Sequence, residues 1–177
     1  IGVKHIVTAE GDPKTKFGQS LNDSEAIFSI VEKLNEPLRM AADYGVKILI
    51  EPHGKYSDSI SHMEKIIDRC NSNALAINLD TGNLWLGGGE PLEMIDKFGD
   101  KIEHVHWKDL SEEFVAQRGE IFGCGMSTTK LGQGVVGIEE IFKKLESIGF
   151  NGSTTLEIAG EEAVKGSYEF LKSLGAE

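Results

Sequence analysis

Short β-branched and apolar runs alternate along the chain with longer stretches that repeat their apolar positions at helical spacing. Residues 3–8 read as a buried strand. Asn22 and Ser24 offer capping side chains for a helix reaching about Tyr44, with an internal boundary or kink near Pro37 and a stop at Gly45. Residues 46–51 form a second strand. The next stretch, 59–70, carries Ile60, Met63, Ile66 and Ile67 on one helical face. A third strand spans 74–79. After the GGGEP turn, Pro91 sits near the start of a short helix ending about Phe98. Residues 102–107 are the fourth strand, 138–148 a helix stopped by Gly149, 153–158 the fifth strand and 161–174 the closing helix. This order specifies an α/β fold with a parallel sheet covered by helices and joined by right-handed crossovers. Only residues 110–137 break the rhythm. They are rich in glycine and without clear period, which points to a functional loop over the strand ends.

Four of the strand runs deliver a potential metal ligand as they end: Glu51, Asp80, His106 and Glu157. Parallel strands finish on one side of their sheet, so four such endings converge on one small volume and predict a single metal site. Residues two apart on a strand share a face. Asn78, His104 and Thr155 therefore lie behind Asp80, His106 and Glu157, where they either orient the ligands or are individually hydrogen-bonded core residues, the two readings being equal for His104. Three carboxylates and one imidazole suit Mn²⁺ or Mg²⁺ first, with Co²⁺ or Zn²⁺ also able to fill the site.

Composition narrows the partners. With 29 acidic and 18 basic residues among 177, the formal charge is -11, which repels a phosphate backbone and argues against nucleic acid. No apolar run approaches the about 18 residues of a membrane span. Cys70 and Cys124 have no CxxC spacing, so neither a disulfide framework nor a thiolate zinc site is indicated, and a cytoplasmic setting is expected.

The strings ILIEPHG, INLDTGN, HVHWKD, LGQGVVGIEEIFKKLESIGFNG and TTLEIAG resemble the second half of the xylose isomerase-like TIM barrels, the sugar phosphate isomerase/epimerase superfamily. The resemblance covers nearly the whole chain as a single domain over 1–177. It implies that Glu51, Asp80, His106 and Glu157 hold one divalent cation, and that Glu51 and Glu157 flank a substrate as acid and base. The implied chemistry is isomerisation or epimerisation of a small sugar, sugar phosphate or polyol: proton abstraction next to a carbonyl through a metal-stabilised enediolate.

His53 stands where the xylose isomerases proper place a lysine, and is expected to reach a substrate hydroxyl or shuttle a proton. Asn83 departs from the histidine that related epimerases show, so an amide contact to a sugar replaces a proton shuttle there. The same change, with the acidic charge, argues against the zinc endonuclease relatives. Lys108 is expected to contact substrate oxygens. For Asp109, substrate contact and surface ion pairing are equal readings. Arg118, the one arginine of the long loop, could clamp a phosphate, carboxylate or sugar oxygen. Trp85 and Phe122 are either pocket walls or core, and the LGQG and GCG glycines leave a phosphate cradle open.

A complete (β/α)₈ barrel has eight units and about 250 residues. Five strands are expected here, matching the fourth to eighth, so the first three βα units are expected to be absent and the barrel incomplete. A homo-oligomer or a longer physiological chain would then cover the open edges. Two further readings stand beside the isomerase: a non-catalytic metal- or sugar-binding barrel segment, and a dehydratase of a keto-polyol using the same enolate.

Overall fold

A computed structural model describes residues 2–11, 15, 16 and 18–176. Five strands pair in parallel in the order β1-β2-β3-β4-β5: β1 His5–Thr8, β2 Lys47–Ile50, β3 Leu75–Asp80, β4 Ile102–Trp107 and β5 Ser153–Leu156. Sequential order with helices between is the topology of a barrel wall, and the five strands make an incomplete TIM-like barrel. The helices are α1 Asp23–Asp43, α2 Ile60–Cys70, α3 Thr81–Leu86, α4 Pro91–Phe98, α5 Ile138–Ser147 and α6 Glu161–Leu174. Among the described residues, no helix is long and apolar enough to cross a membrane.

Three expectations change. The helix α1 runs through Pro37 without a boundary. Its capping box is intact, with Asn22 Oδ1 accepting from Glu25 N at 3.0 Å and Glu25 Oε2 from Asn22 N at 2.9 Å. Burial of Leu34, Leu38 and Ala41 carries the helix past the missing proline N–H. The first strand is not buried: Ile6 and Val7 are about half exposed because β1 is a sheet edge. The third change is α3, a helix in a stretch to which the sequence pattern assigns no element. Asp80 starts it, its Oδ1 accepting from Asn83 N at 2.8 Å.

One face of the sheet makes the core with the helices. Ile48, Ile50, Leu75, Ile77, Val105 and Trp107 pack among residues such as Ile30, Met63, Met94 and Ile141. Strand alternation puts Leu49, Glu51, Asn78 and Asp80 on the other, concave face. A register shift at Ile77/Asn78 decides what β4 adds there. Ile77 pairs with Ile102, but Asn78 pairs with His104 and Asp80 with His106, leaving Glu103 as the extra residue. Without that shift the imidazoles would lie opposite neighbours of the other parity.

Candidate metal centre

The strand ends bring Glu51, Asp80 and His106 together, with donor atoms all within 4.8 Å of one another. His106 Nδ1 lies 3.3 Å from Glu51 Oε2, 3.3 Å from Glu157 Oε1 and 3.9 Å from Asp80 Oδ2. It is buried and makes no well-aligned hydrogen bond. A nitrogen ringed by carboxylate oxygens yet bonded to none has the disposition of a ligand atom, and the oxygen-rich set fits a hard divalent cation. Glu157 stands just outside the tight trio and joins it through His106 and Lys108.

The sequence places each carboxylate by a nameable device. Glu51 accepts from Asn78 Nδ2 at 2.9 Å through Oε2 and from Asn83 Nδ2 at 3.2 Å through Oε1, so both its oxygens are held. Asp80 divides its oxygens. Oδ1 caps α3, while Oδ2 faces the centre and meets Asn83 Nδ2 at 2.9 Å and Lys108 Nζ at 2.8 Å. One side chain thus serves both as helix cap and as candidate ligand.

Lys108 is buried and bridges Asp80 and Glu157, with Nζ 2.6 Å from Glu157 Oε2. Its backbone is clamped by Thr81, whose hydroxyl donates to Lys108 O at 2.7 Å and accepts from Lys108 N at 2.9 Å. A Cβ at Gly82 would lie 2.6 Å from Lys108 Cβ, so only glycine lets the lysine close. The DTGN string thus supplies a ligand, a clamp for Lys108, room for it and an amide. The clamp and the room escaped the sequence reading; the signal was a small hydroxyl residue and a glycine directly after the ligand.

Electrostatics follow from burial. Burial pushes the Asp80 carboxyl up to about 7 against the pull of Lys108 and of the Asn83 N–H. Burial works against the Lys108 ammonium, but Asp80 and Glu157 outweigh it and hold the lysine above its ordinary value. Burial also opposes ionised Glu51, yet His106, Lys108 and His53 keep its carboxyl below the usual range. His106 is held above its ordinary value, desolvation being outweighed by Glu51 and Glu157. His104 is lowered by burial and by His106. Its ring bridges Ser153 Oγ at 2.6 Å and Thr155 Oγ1 at 3.0 Å and meets the His106 ring edge-on at 5.1 Å. Thr155 therefore supports His104 rather than Glu157.

His53 is at the rim, about one third exposed, with Nδ1 4.0 Å from Glu51 Oε1. The 110–137 loop passes over it, and Gly123 leaves no space for a side chain against His53 Nε2. Asn83 is fully buried. Its Nδ2 faces two carboxylates, and its Oδ1 accepts from Cys124 N at 3.0 Å and Cys124 Sγ at 3.3 Å, so no amide atom is left for a sugar. Arg118 is likewise engaged by protein. Nε donates to Trp85 O at 3.0 Å, Nη2 to Gly89 O at 3.1 Å, and the guanidinium pairs with Glu90 and lies 4.8 Å over the Trp85 ring. It fastens the loop to α3 instead of presenting a free fork. Trp85 is core, whereas Phe122 is partly exposed beside a cleft of about 560 Å³ lined also by Glu10, Lys55, Tyr56 and Glu120. Glu10, unremarked in the sequence, is buried there, its Oε2 accepting from Tyr56 N, Ser57 N and Ser57 Oγ at 3.0, 2.7 and 2.9 Å.

Asp109 settles into neither of its two sequence readings. Buried, it accepts from Leu110 N and Val136 N through Oδ1 at 3.0 and 3.2 Å, and from Gly132 N and Gly134 N through Oδ2 at 2.9 Å each. The LGQG backbone that resembled a phosphate cradle holds this carboxylate, and with it the base of the loop.

Known proteins share this architecture. The chain is 27% identical over 173 residues to an inosose dehydratase of Clostridium beijerinckii, covering 94% of this chain and 58% of that protein. It is 28% identical over 168 residues to the inosose dehydratase of Geobacillus kaustophilus, covering 90% of this chain and 54% of that one. The chain therefore spans a little over half the length of these relatives. Among solved structures, a xylose isomerase domain protein of Planctomyces limnophilus superposes with a TM-score of 0.73 at 25% identity, over 96% of this chain and 57% of that one. A D-tagatose 3-epimerase-like protein superposes with a TM-score of 0.75 at 23% identity, over 97% and 61%, a likeness of fold. The sequence profile of one family matches residues 1–174, the span that carries all four strand-end ligands, and the chain belongs to that family, the xylose isomerase-like TIM barrels.

Proposed function

We propose that the protein acts, with a divalent cation, on a small keto-polyol by removing a proton next to the carbonyl, and that dehydration is the outcome. The single observation that carries this reading is the pair Glu51 and Glu157, each with a carboxylate oxygen 3.3 Å from His106 Nδ1, beside the buried Lys108. Glu51, Asp80, His106 and Glu157 would hold the cation, Mn²⁺ or Mg²⁺ by the hardness of the donors, with Co²⁺ or Zn²⁺ also compatible. When bound, the cation polarises the substrate carbonyl and offsets the negative charge that develops on its oxygen.

The chain's own groups do the rest. Glu51 and Glu157 are the pair that moves the proton, as carboxylates flanking the reacting carbon. Loss of water breaks the next C–O bond, and the departing oxygen takes a proton, so that a keto-polyol yields an unsaturated ketone and water. Lys108 keeps positive charge beside Glu157 at the floor, and His53 at the rim is within reach of a substrate hydroxyl. The named activity of the two dehydratase relatives supports dehydration over plain epimerisation.

Epimerisation remains the second reading, because the same two carboxylates can return the proton to the opposite face. Incubation with Mn²⁺ and an inosose in D₂O separates the outcomes. Growth of ultraviolet absorbance from an unsaturated ketone supports dehydration. Deuterium incorporated into ketoses without loss of water supports epimerisation or isomerisation. Metal bound with neither reaction leaves a binding module and refutes the catalytic reading.

A further inference from the structure

The 110–137 loop and the ligand set meet at one side chain, Asn83. Its orientation is not a matter of choice: Cys124 N–H can only donate, so the amide oxygen must face the loop at 3.0 Å. The amide nitrogen then faces inward, giving one hydrogen to Glu51 Oε1 at 3.2 Å and the other to Asp80 Oδ2 at 2.9 Å. Two carboxylates from β2 and β3 are thus held by one NH₂ group whose direction is set by a backbone N–H of the loop.

Resting on the metal-centre reading above, we propose that Asn83 is a positioning residue that couples seating of the 110–137 loop to the geometry of the Glu51–Asp80 ligand pair. With the loop seated, the amide is a donor fork toward both carboxylates. With the loop lifted, the amide oxygen loses its partner, and rotation of the amide by half a turn would aim that oxygen at two carboxylate groups. The loop contact and the two carboxylates therefore favour one and the same orientation of the amide, and each strengthens the other. Coupling of this kind is reciprocal: a cation that needs both carboxylates in place favours the seated loop by the factor by which the seated loop favours the cation.

The loop is built to act as a unit. Asp109 gathers its base through the amides of Gly132, Gly134 and Val136. Arg118 fastens its middle to the carbonyl groups of Trp85 and Gly89, and Gly119 N donates to Leu86 O at 2.7 Å. Cys124 and the neighbouring Gly123 are the part of the loop laid over Asn83 and His53. This segment lies against both His53 at the rim and Asn83 behind the ligands, so the state of the loop is reported to the ligands through position 83.

The test pairs Mn²⁺ binding with amide hydrogen exchange over residues 122–127 in the wild type and in Asn83→Leu, which keeps the branching at Cγ and the backbone N–H of the α3 cap. Wild type is expected to bind Mn²⁺ and to exchange more slowly over this segment when Mn²⁺ is added. Asn83→Leu is expected to bind Mn²⁺ about 10- to 100-fold more weakly, the usual loss when a partner behind a ligand is removed, and to lose the Mn²⁺-dependent slowing. Equal Mn²⁺ affinity in both proteins, equal slowing in both, or no slowing in a wild type that binds Mn²⁺ overturns the coupling and leaves the metal centre standing. A wild type that binds no Mn²⁺ overturns the metal centre itself, and the coupling with it. If Asn83→Leu does not melt cooperatively, the wild-type exchange comparison and Asn83→Ser decide.

Discussion

Lys108 Nζ lies 2.8 Å from Asp80 Oδ2 in a site where the lysine and the aspartate are both buried. The ammonium balances negative charge that β2, β3 and the end of β5 bring to one point. Its replacement leaves Asp80 and Glu157 without their cation. Lys108→Met is expected to destabilise the metal-free protein by about 3 kcal/mol, the lower part of the range for breaking a buried pair. The loss is expected to shrink when Mn²⁺ is present, because the added cation takes over the compensation. Urea unfolding with and without Mn²⁺ measures both, and an equal loss in the two conditions refutes the shared-charge account.

Metal removal has its own signature. At free Mn²⁺ 100 times the dissociation constant, binding to the folded state adds about 2.7 kcal/mol, so chelation is expected to lower the melting temperature. Asp80→Asn is expected to abolish that response while leaving the α3 cap in place, since asparagine caps as well as aspartate. Calorimetric melting with Mn²⁺ or EDTA reads the difference. A full Mn²⁺ response in Asp80→Asn would remove this residue from the ligand set.

Asp109→Asn addresses the loop. Four backbone N–H groups converge on two carboxylate oxygens, and the amide replaces one oxygen by a donor that faces N–H groups. An unsatisfied buried donor costs about 1–3 kcal/mol. The variant is expected to be less stable by that order and to be cut first within 110–137 in limited proteolysis. Unchanged proteolysis of that segment would show that the loop does not depend on its carboxylate base.

The cysteines give a pH-dependent readout. Burial pushes both the Cys70 and Cys124 thiols up to about 11, from 9.0 in the absence of the fold. The thiolate is the reactive form, so at pH 8 alkylation of the folded protein is expected to be about 100-fold slower than in denaturant from ionisation alone. The folded rate is expected to keep rising between pH 10 and pH 11, where the unfolded rate has levelled off. Iodoacetamide kinetics at several pH values, folded and in guanidinium, check the shift.

Much of this site is legible along the chain, and particular residues show where legibility stops. Glu51, Asp80 and His106 could be named because each closes a recognisable strand, and Asn78 because a buried amide two places behind a carboxylate has few other uses. α3 was missed because Gly82 and Asn83 are poor helix residues. It forms because Asp80 caps it and because Leu84, Trp85 and Leu86 are buried. The LGQG glycines leave a phosphate cradle open along the sequence, and the anion that they hold is the chain's own Asp109. Along the sequence Arg118 could equally be an anion clamp or a solvated charge; its partners are the carbonyl groups of Trp85 and Gly89 and the Glu90 carboxylate, far off in sequence.

The sequence by itself determined the alternation of strand and helix, the parallel sheet, the ligand types at the strand ends and their family. Those follow from local period and residue chemistry, which need no partner to be read. The tertiary structure alone decided that a register shift opposite Glu103 puts His104 and His106 on the face of Asn78 and Asp80. It decided too that Lys108 turns inward to two carboxylates, and that Asn83 turns its nitrogen to the ligands because Cys124 N–H claims its oxygen. Each depends on pairing between residues distant along the chain, and a side chain's hydrogen-bonding direction is set by the partner it meets, not by its neighbours in sequence.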